Sequence, residues 1–203
     1  RIDSILNDVS IYKARYNMGI YLAKRIKNEV NINFDYVIPI PDTSKPFASG
    51  ISDFLRVPFK EFIIKNRYVN RTFIMNNQNE RNQKLELKFI ILNSLIKNKN
   101  ILIIDDSIVR GNTIEHIIKL LKKNNVKKLY VASSCPKIKY ENKYGIDIPN
   151  RKELISYNKN SEEIEKKLRI DKLFFQKISD LKKSIQIFNN KLTTFEMSIL
   201  DDL

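Results

Sequence analysis

Asp105 and Asp106, followed by Ser107 and then by Gly111 and Thr113, are the residues of this 203-residue sequence whose types and spacing best suit chemistry. Ionised carboxylates accept hydrogen bonds and donate none, which fits them to the cis hydroxyls of a ribose or, through water, to a divalent cation. Gly111 lets a backbone approach a ligand closely, and the hydroxyls of Ser107 and Thr113 can donate to phosphate oxygens. If a helix opens at this point, its first N–H groups and its dipole favour an anion. Acids that hold a diol, next to a turn that holds an anion, form a site for a phosphorylated sugar. A plainer reading also exists: an Asp-Asp pair after a strand can be an ordinary helix-cap region.

These residues need elements to hold them, and the pattern on either side supplies both. Ile101 to Ile104 form a short apolar, β-branched run suited to a central parallel strand, and Ile114, Ile117, Ile118 and Leu121 follow at i, i+3, i+4 and i+7. In an open α/β sheet, ligands sit beyond the carboxyl ends of the strands, where this order puts Asp105, Asp106 and the loop to Thr113. Upstream, Ile11, Met18, Leu22 and Ile26 share one face of an opening helix. Tyr36 to Ile40 form a strand ended by Pro41, and Lys45 to Leu55 return as a helix. From Lys65 to Lys88 basic and amide residues dominate, a composition that suits a long mobile loop. Leu129 to Ser133 make a further strand, and helical patterns around Ser161 to Leu168 and Ile178 to Phe188 form a short C-terminal extension. With no repeat and no Pro- or Gly-rich linker, the expectation is one α/β domain, a mostly parallel sheet flanked by helices.

Composition narrows the function classes. The 42% apolar and 30% charged fractions are those of a soluble globular protein, and no run is long enough to span a membrane. The start, RIDSILNDVS, lacks a secretory signal and an initiator Met, so it reads as an internal segment. A single cysteine, Cys135, excludes an intramolecular disulfide and leaves a cytoplasmic location as the default. The net charge of +14 could suggest nucleic acid, but the lysines are scattered among Asn and Ile along the whole chain. That pattern is what an AT-rich genome would give. His116, between Glu115 and Ile117, reads as solvent-exposed, and Cys135, before a proline, as a small packed residue.

ILIIDDSIVRGNT, Ile101 to Thr113, resembles the phosphoribosyl pyrophosphate (PRPP) motif of type I phosphoribosyltransferases. Its DDSIVRG form is similar to that of the amidophosphoribosyltransferase family, the glutamine-dependent enzymes that open purine synthesis. Four further segments resemble that family in order: SIYKARYNMG (Ser10 to Gly19), VIPIPDTS (Val37 to Ser44), KNRYVNRTFI (Lys65 to Ile74) and YGIDIP (Tyr144 to Pro149). Together these segments extend the resemblance to most of the chain.

The resemblance implies a type I phosphoribosyltransferase-like fold and transfer of a phosphoribosyl group from PRPP to ammonia, with loss of pyrophosphate. It implies that Asp105 and Asp106 hold the ribose, that the loop Ser107, Ile108, Val109, Arg110, Gly111, Asn112 and Thr113 holds the 5′-phosphate, and that Asp42, Thr43 and Ser44 meet the pyrophosphate. Mg²⁺ would be held at Thr43, Asp105 and Asp106. Lys65, Arg67, Tyr68, Arg71 and Lys88 would be carried to the pyrophosphate as the loop closes. The resemblance further implies a glutaminase domain, absent from this chain, as the ammonia source, purine nucleotides as inhibitors and a homo-oligomer. The cluster-free type fits, with no iron-sulfur cluster, since Cys135 stands alone.

Three departures from the family pattern stand out: Asn70 for a usual Gly, Asn112 for a usual Thr, and KFIILN from Lys88 for a usual basic loop end. They keep a second reading open, a relic or regulatory module that binds PRPP or nucleotide without turnover. A nucleic-acid-binding protein driven by the +14 charge is the third.

Overall fold

In the computed structural model, which describes residues 1–66, 89–142 and 150–200, a hairpin of two short strands, β1 (Ile5–Leu6) and β2 (Val9–Ser10), leads into α1 (Ile11–Glu29). Ser10 caps that helix by accepting the Lys13 backbone N–H. There follow β3 (Tyr36–Pro39), α2 (Lys45–Leu55), β4 (Ile63–Lys65), β5 (Phe89–Ile91), β6 (Asn100–Asp105), α3 (Asn112–Lys123) and β7 (Lys128–Ser133). The chain ends with α4 (Ser161–Leu168), β8 (Lys172–Phe175) and α5 (Ile178–Gln186). β3, β6, β7 and β8 form a parallel sheet in that order, while β4 and β5 pair antiparallel as a separate ribbon.

Both faces of the sheet are covered, which explains why β6 reads as a continuous apolar run instead of alternating. Ile101 and Ile103 pack on one face against Ile114, Ile117, Ile118 and Leu121 of α3 and Ile164 and Leu168 of α4. Leu102 and Ile104 pack on the other against Leu22, Ala23 and Ile26 of α1 and Phe47, Ala48 and Ile51 of α2. The side chains of Ile101, Leu102, Ile103 and Ile104 are fully buried, and burial of each stabilises the fold by about 1.5–3 kcal/mol. α1 and α2 cross closely: a Cβ on Gly19 would sit 2.1 Å from the Phe47 carbonyl oxygen, and one on Gly50 the same distance from that of Tyr16. This contact fixes where α2 begins, and so where the turn after β3 lies.

The last third departs from the helical extension read in the sequence. Between its two helices, KLFF adds β8 as the edge strand of the main sheet. Four residues are too few for a periodicity to register against neighbouring helical patterns. Phe89–Ile91, the apolar stretch that departs from the family pattern, forms one side of the β4–β5 ribbon. The expected loop from Lys65 to Lys88 falls mostly outside the described residues, as does YGIDIP. Among the described residues no helix is long and apolar enough to cross a membrane.

Candidate functional site

β3 and β6 are parallel neighbours, so the chain leaves both at the same end of the sheet. Pro39 pairs with Ile104, and the Ile40 N–H donates to the Ile104 carbonyl at 2.8 Å. The turn Pro41–Asp42–Thr43–Ser44 and the pair Asp105–Asp106 therefore emerge side by side, although about sixty positions separate them in sequence. The Thr43 hydroxyl donates to Asp106 Oδ2 at 2.5 Å, and Lys65 Nζ, at the end of β4, lies 3.3 Å from Asp42 Oδ2. The Pro41–Asp42 peptide is cis. Ser44 turns away from this group: it is fully buried and its hydroxyl donates to the Ile40 carbonyl.

Beyond β6 the loop folds over the sheet end and enters α3. Asp106 N–H donates to Asp105 Oδ1 at 2.9 Å, and Ser107 Oγ lies 3.4 Å from Asp106 Oδ1. Gly111 occupies the N-cap with φ 85°, a left-handed conformation that disfavours any side chain, and among the described residues no side chain caps the helix. The first amides of α3 have no acceptor within the helix, so they are available to an anion. Asp105, Asp106, residues 107–114, Ile40, Pro41, Lys65 and Phe89 line a cavity of about 370 Å³.

The electrostatics of the two acids are unfavourable. Burial, and then the neighbouring Asp106 carboxylate, push the Asp105 carboxyl up to about 8. A cation or a hydrogen-bond donor placed between the two acids would relieve both effects. Thr43, Asp105 and Asp106 supply oxygen atoms only, the donor chemistry of Mg²⁺, which takes one or two carboxylates and completes its shell with water and ligand phosphates. Among the described residues no three His, Cys, Asp or Glu side chains converge as a self-sufficient metal cage.

The structure thus gathers Lys65, Asp105, Asp106 and the loop 107–113 around one cavity, with Asp42 and Thr43 joined to that lining through Lys65 and Asp106; Arg67, Tyr68, Arg71 and Lys88 lie outside the described residues. Two side chains carried no usable signal in the sequence. Phe89 reaches the cavity from β5, and Arg15 of α1 reaches the Thr43 carbonyl at 3.5 Å. Both touch the site through long-range packing, which periodicity does not reveal. His116 differs from its expected exposure: it is half-buried, its Nε2 is shielded, and it lines a groove between α3 and α4, away from the cavity. Its helix position faces the neighbouring helix, and its polar neighbours in sequence concealed that. Cys135 is packed as expected, its thiol pushed up to about 12 by burial.

Residues 10–180 match the phosphoribosyl transferase domain family. The chain belongs to that family. It is 42% identical over 203 residues to the amidophosphoribosyltransferase of Haemophilus influenzae, an alignment that takes in 98% of this chain and 40% of that protein. The amidophosphoribosyltransferase of Escherichia coli is 40% identical over 202 residues, with 99% of this chain and 40% of the relative covered. Among solved structures, glutamine phosphoribosylpyrophosphate (PRPP) amidotransferase from B. subtilis, complexed with ADP and GMP, superposes with a TM-score of 0.81 at 32% identity. The superposition covers 96% of this chain and 41% of that one. The chain therefore spans about 40% of the length of the curated relatives it matches, and its four-stranded parallel sheet with flanking helices is the type I fold of the family.

Proposed function

We propose that residues 1–203 form the phosphoribosyltransferase domain of an amidophosphoribosyltransferase, which makes 5-phosphoribosylamine and pyrophosphate from PRPP and ammonia in the first step of purine synthesis. The observation that carries this reading is the meeting of Thr43, Asp105 and Asp106 beside the uncapped amide end of α3. A diol, a phosphate and a metal-bound pyrophosphate need that combination of acceptors and donors. The nitrogen lone pair of ammonia forms the new bond at the anomeric carbon. The carbon–oxygen bond to pyrophosphate breaks with its electron pair going to the leaving group, and the surplus proton passes to solvent. Positive charge develops on the sugar and negative charge on pyrophosphate, so orientation and charge stabilisation do most of the work.

Asp105 and Asp106 hold the ribose hydroxyls, residues 107–113 and the first amides of α3 hold the 5′-phosphate, and Asp42 and Thr43 meet the pyrophosphate. Thr43, Asp105 and Asp106 would hold Mg²⁺, which would supply charge neutralisation to the pyrophosphate. Lys65 lines the cavity, and Arg67, Tyr68, Arg71 and Lys88 join it when the loop closes and excludes water. The ammonia comes from a glutaminase domain. Purine nucleotides compete for the phosphate site, the protein works as a homo-oligomer in the cytoplasm, and with Cys135 as its one cysteine this chain supplies no four-cysteine ligand set for an iron-sulfur cluster.

The test supplies the chain with PRPP, Mg²⁺ and a high concentration of ammonium salt at mildly alkaline pH. Slow release of pyrophosphate is expected with ammonia and none with glutamine. Lys65→Ala should lower the rate by about 10²–10³, the effect of removing one preorganised stabiliser of developing charge. Tight PRPP binding with no release would favour a module that binds without turnover, the reading to which Asn112 and the apolar β5 point.

A further inference from the structure

We infer that the segment Arg151–Ile155 is a strap that sets the shape of the phosphate loop, with Glu153 as its positioning residue through Arg110. The inference rests on the loop after β6 being the phosphate site. Two contacts and one steric constraint join the segments. Glu153 Oε2 accepts from Arg110 Nε at 2.6 Å, and the Ile155 N–H donates to the Val109 carbonyl at 2.9 Å. The Ile155 side chain, 2% exposed, packs so closely on Gly111 that a Cβ there would lie 2.4 Å from Ile155 Cδ1. Residues 109, 110 and 111, consecutive in the loop, thus each meet the strap.

The strap can impose a shape because it is itself anchored from behind. Arg151 donates from its backbone to Glu141 Oε1 and from Nε to the Lys139 carbonyl, both at 3.0 Å, and its guanidinium lies 4.5 Å from the centre of the Tyr140 ring. Leu154 is buried with Ile138, Met197 and Leu200, whereas the next residue, Ile155, belongs to the main core with Ile108 and Ile114. The Arg110–Glu153 pair is partly exposed, 33% and 47% by side chain, and such a pair contributes little to global stability. Its effect is geometric: it fixes Arg110, and with it the path by which Val109 and Gly111 present their backbone. This wall comes from a segment some forty residues downstream.

Hydrogen exchange and calorimetry on the full chain test this. In the ligand-free protein, Glu153→Ala should raise exchange of the amides at 107–113 on the order of tenfold, with β6 and α1 unchanged and the melting temperature moved by no more than about 2 °C. PRPP with Mg²⁺ should bind on the order of tenfold more weakly to Glu153→Ala, with Glu153→Gln, which keeps an acceptor, in between. The double variant Arg110→Ala/Glu153→Ala should bind no more weakly than Arg110→Ala alone, since Glu153 acts through Arg110. Unchanged loop exchange in Glu153→Ala, or losses that add in the double variant, would overturn the inference. Failure of the unsubstituted chain to bind PRPP would instead count against the phosphoribosyl reading, and the ligand-free exchange would still decide whether the strap exists.

Discussion

The two ends of the parallel sheet treat their aspartates in opposite ways. At the amino end, Asp35 accepts the Asn100 backbone N–H at 2.8 Å and the Lys99 ammonium at 3.1 Å, and the Asn100 N–H bond, helped by Lys99, holds its carboxyl below the usual range. Asp171 repeats the arrangement between β7 and β8, accepting the Leu129 N–H at 2.8 Å. At the carboxyl end, Asp105 lies against a second acid, Asp106, and its carboxyl is pushed up to about 8. The amino end uses carboxylates as clips between strands; the carboxyl end crowds two acids so that Asp105 resists ionisation until a cation or donor favours it. Stabilising contacts and the candidate site are thus divided along the strand axis, as expected for an open α/β sheet, where ligands bind at the carboxyl ends of the strands.

The largest predicted effect falls on the strained end. Replacing both acids, Asp105→Asn with Asp106→Asn, removes charge-assisted hydrogen bonds worth about 1.5–3 kcal/mol each, hence a loss of PRPP affinity of at least about a hundredfold by calorimetry. An affinity within about threefold of the unsubstituted chain would break the comparison at its functional end. Next comes Gly111→Val, which forces a β-branched residue into φ 85° against Ile155. It should lower stability by roughly 1–3 kcal/mol in denaturant titration and prevent AMP or PRPP from binding to the folded fraction. Tight binding by a folded variant would move the phosphate elsewhere.

A third test sharpens the comparison because its sign is unusual for an aspartate. The Asp105 carboxyl keeps its proton to a higher pH in the folded chain than in the unfolded one. The unfolded chain therefore binds fewer protons between about pH 4 and 8, and stability falls as pH rises across that window. The side-chain amide introduced by Asp105→Asn cannot ionise. Without divalent cations this variant should therefore match the unsubstituted chain near pH 4 and melt at least roughly 4 °C higher at about pH 8.5. A lower melting temperature at that alkaline pH would mean that the charge is not strained. The smallest effect belongs to the amino end. Asp35 has a depressed folded value, so its contribution is present above the ordinary carboxylate range and disappears as pH falls through the folded value. Asp35→Asn should lower stability by about 1 kcal/mol at neutral pH, after allowance for solvent screening, and leave PRPP binding unchanged.

How much of this was legible beforehand differed between elements. Ile101–Thr113 disclosed itself because all of its parts are local: a β-branched strand, two acids, a glycine and a helical repeat that begins where the loop ends. The turn after β3 was legible for the same reason, as a strand halted by proline. Glu153 and Ile155 were not, because the short 3₁₀ turn Arg151–Glu153 and the two residues after it carry no periodic signal, and their partners lie some forty residues earlier. β8 was hidden by brevity between two amphipathic helices, and His116 by polar neighbours that say nothing about the helix packed against it.

The sequence by itself determined the order of most elements, the buried β6 and the acids at its end, since backbone propensity and hydrophobic period act over a few residues. Only the tertiary structure decided that Thr43 meets Asp106 and that Glu153 holds Arg110. Those contacts depend on parallel pairing of β3 with β6 and on the return of the chain after β7, and a pairing between distant segments has no imprint in the local pattern of either.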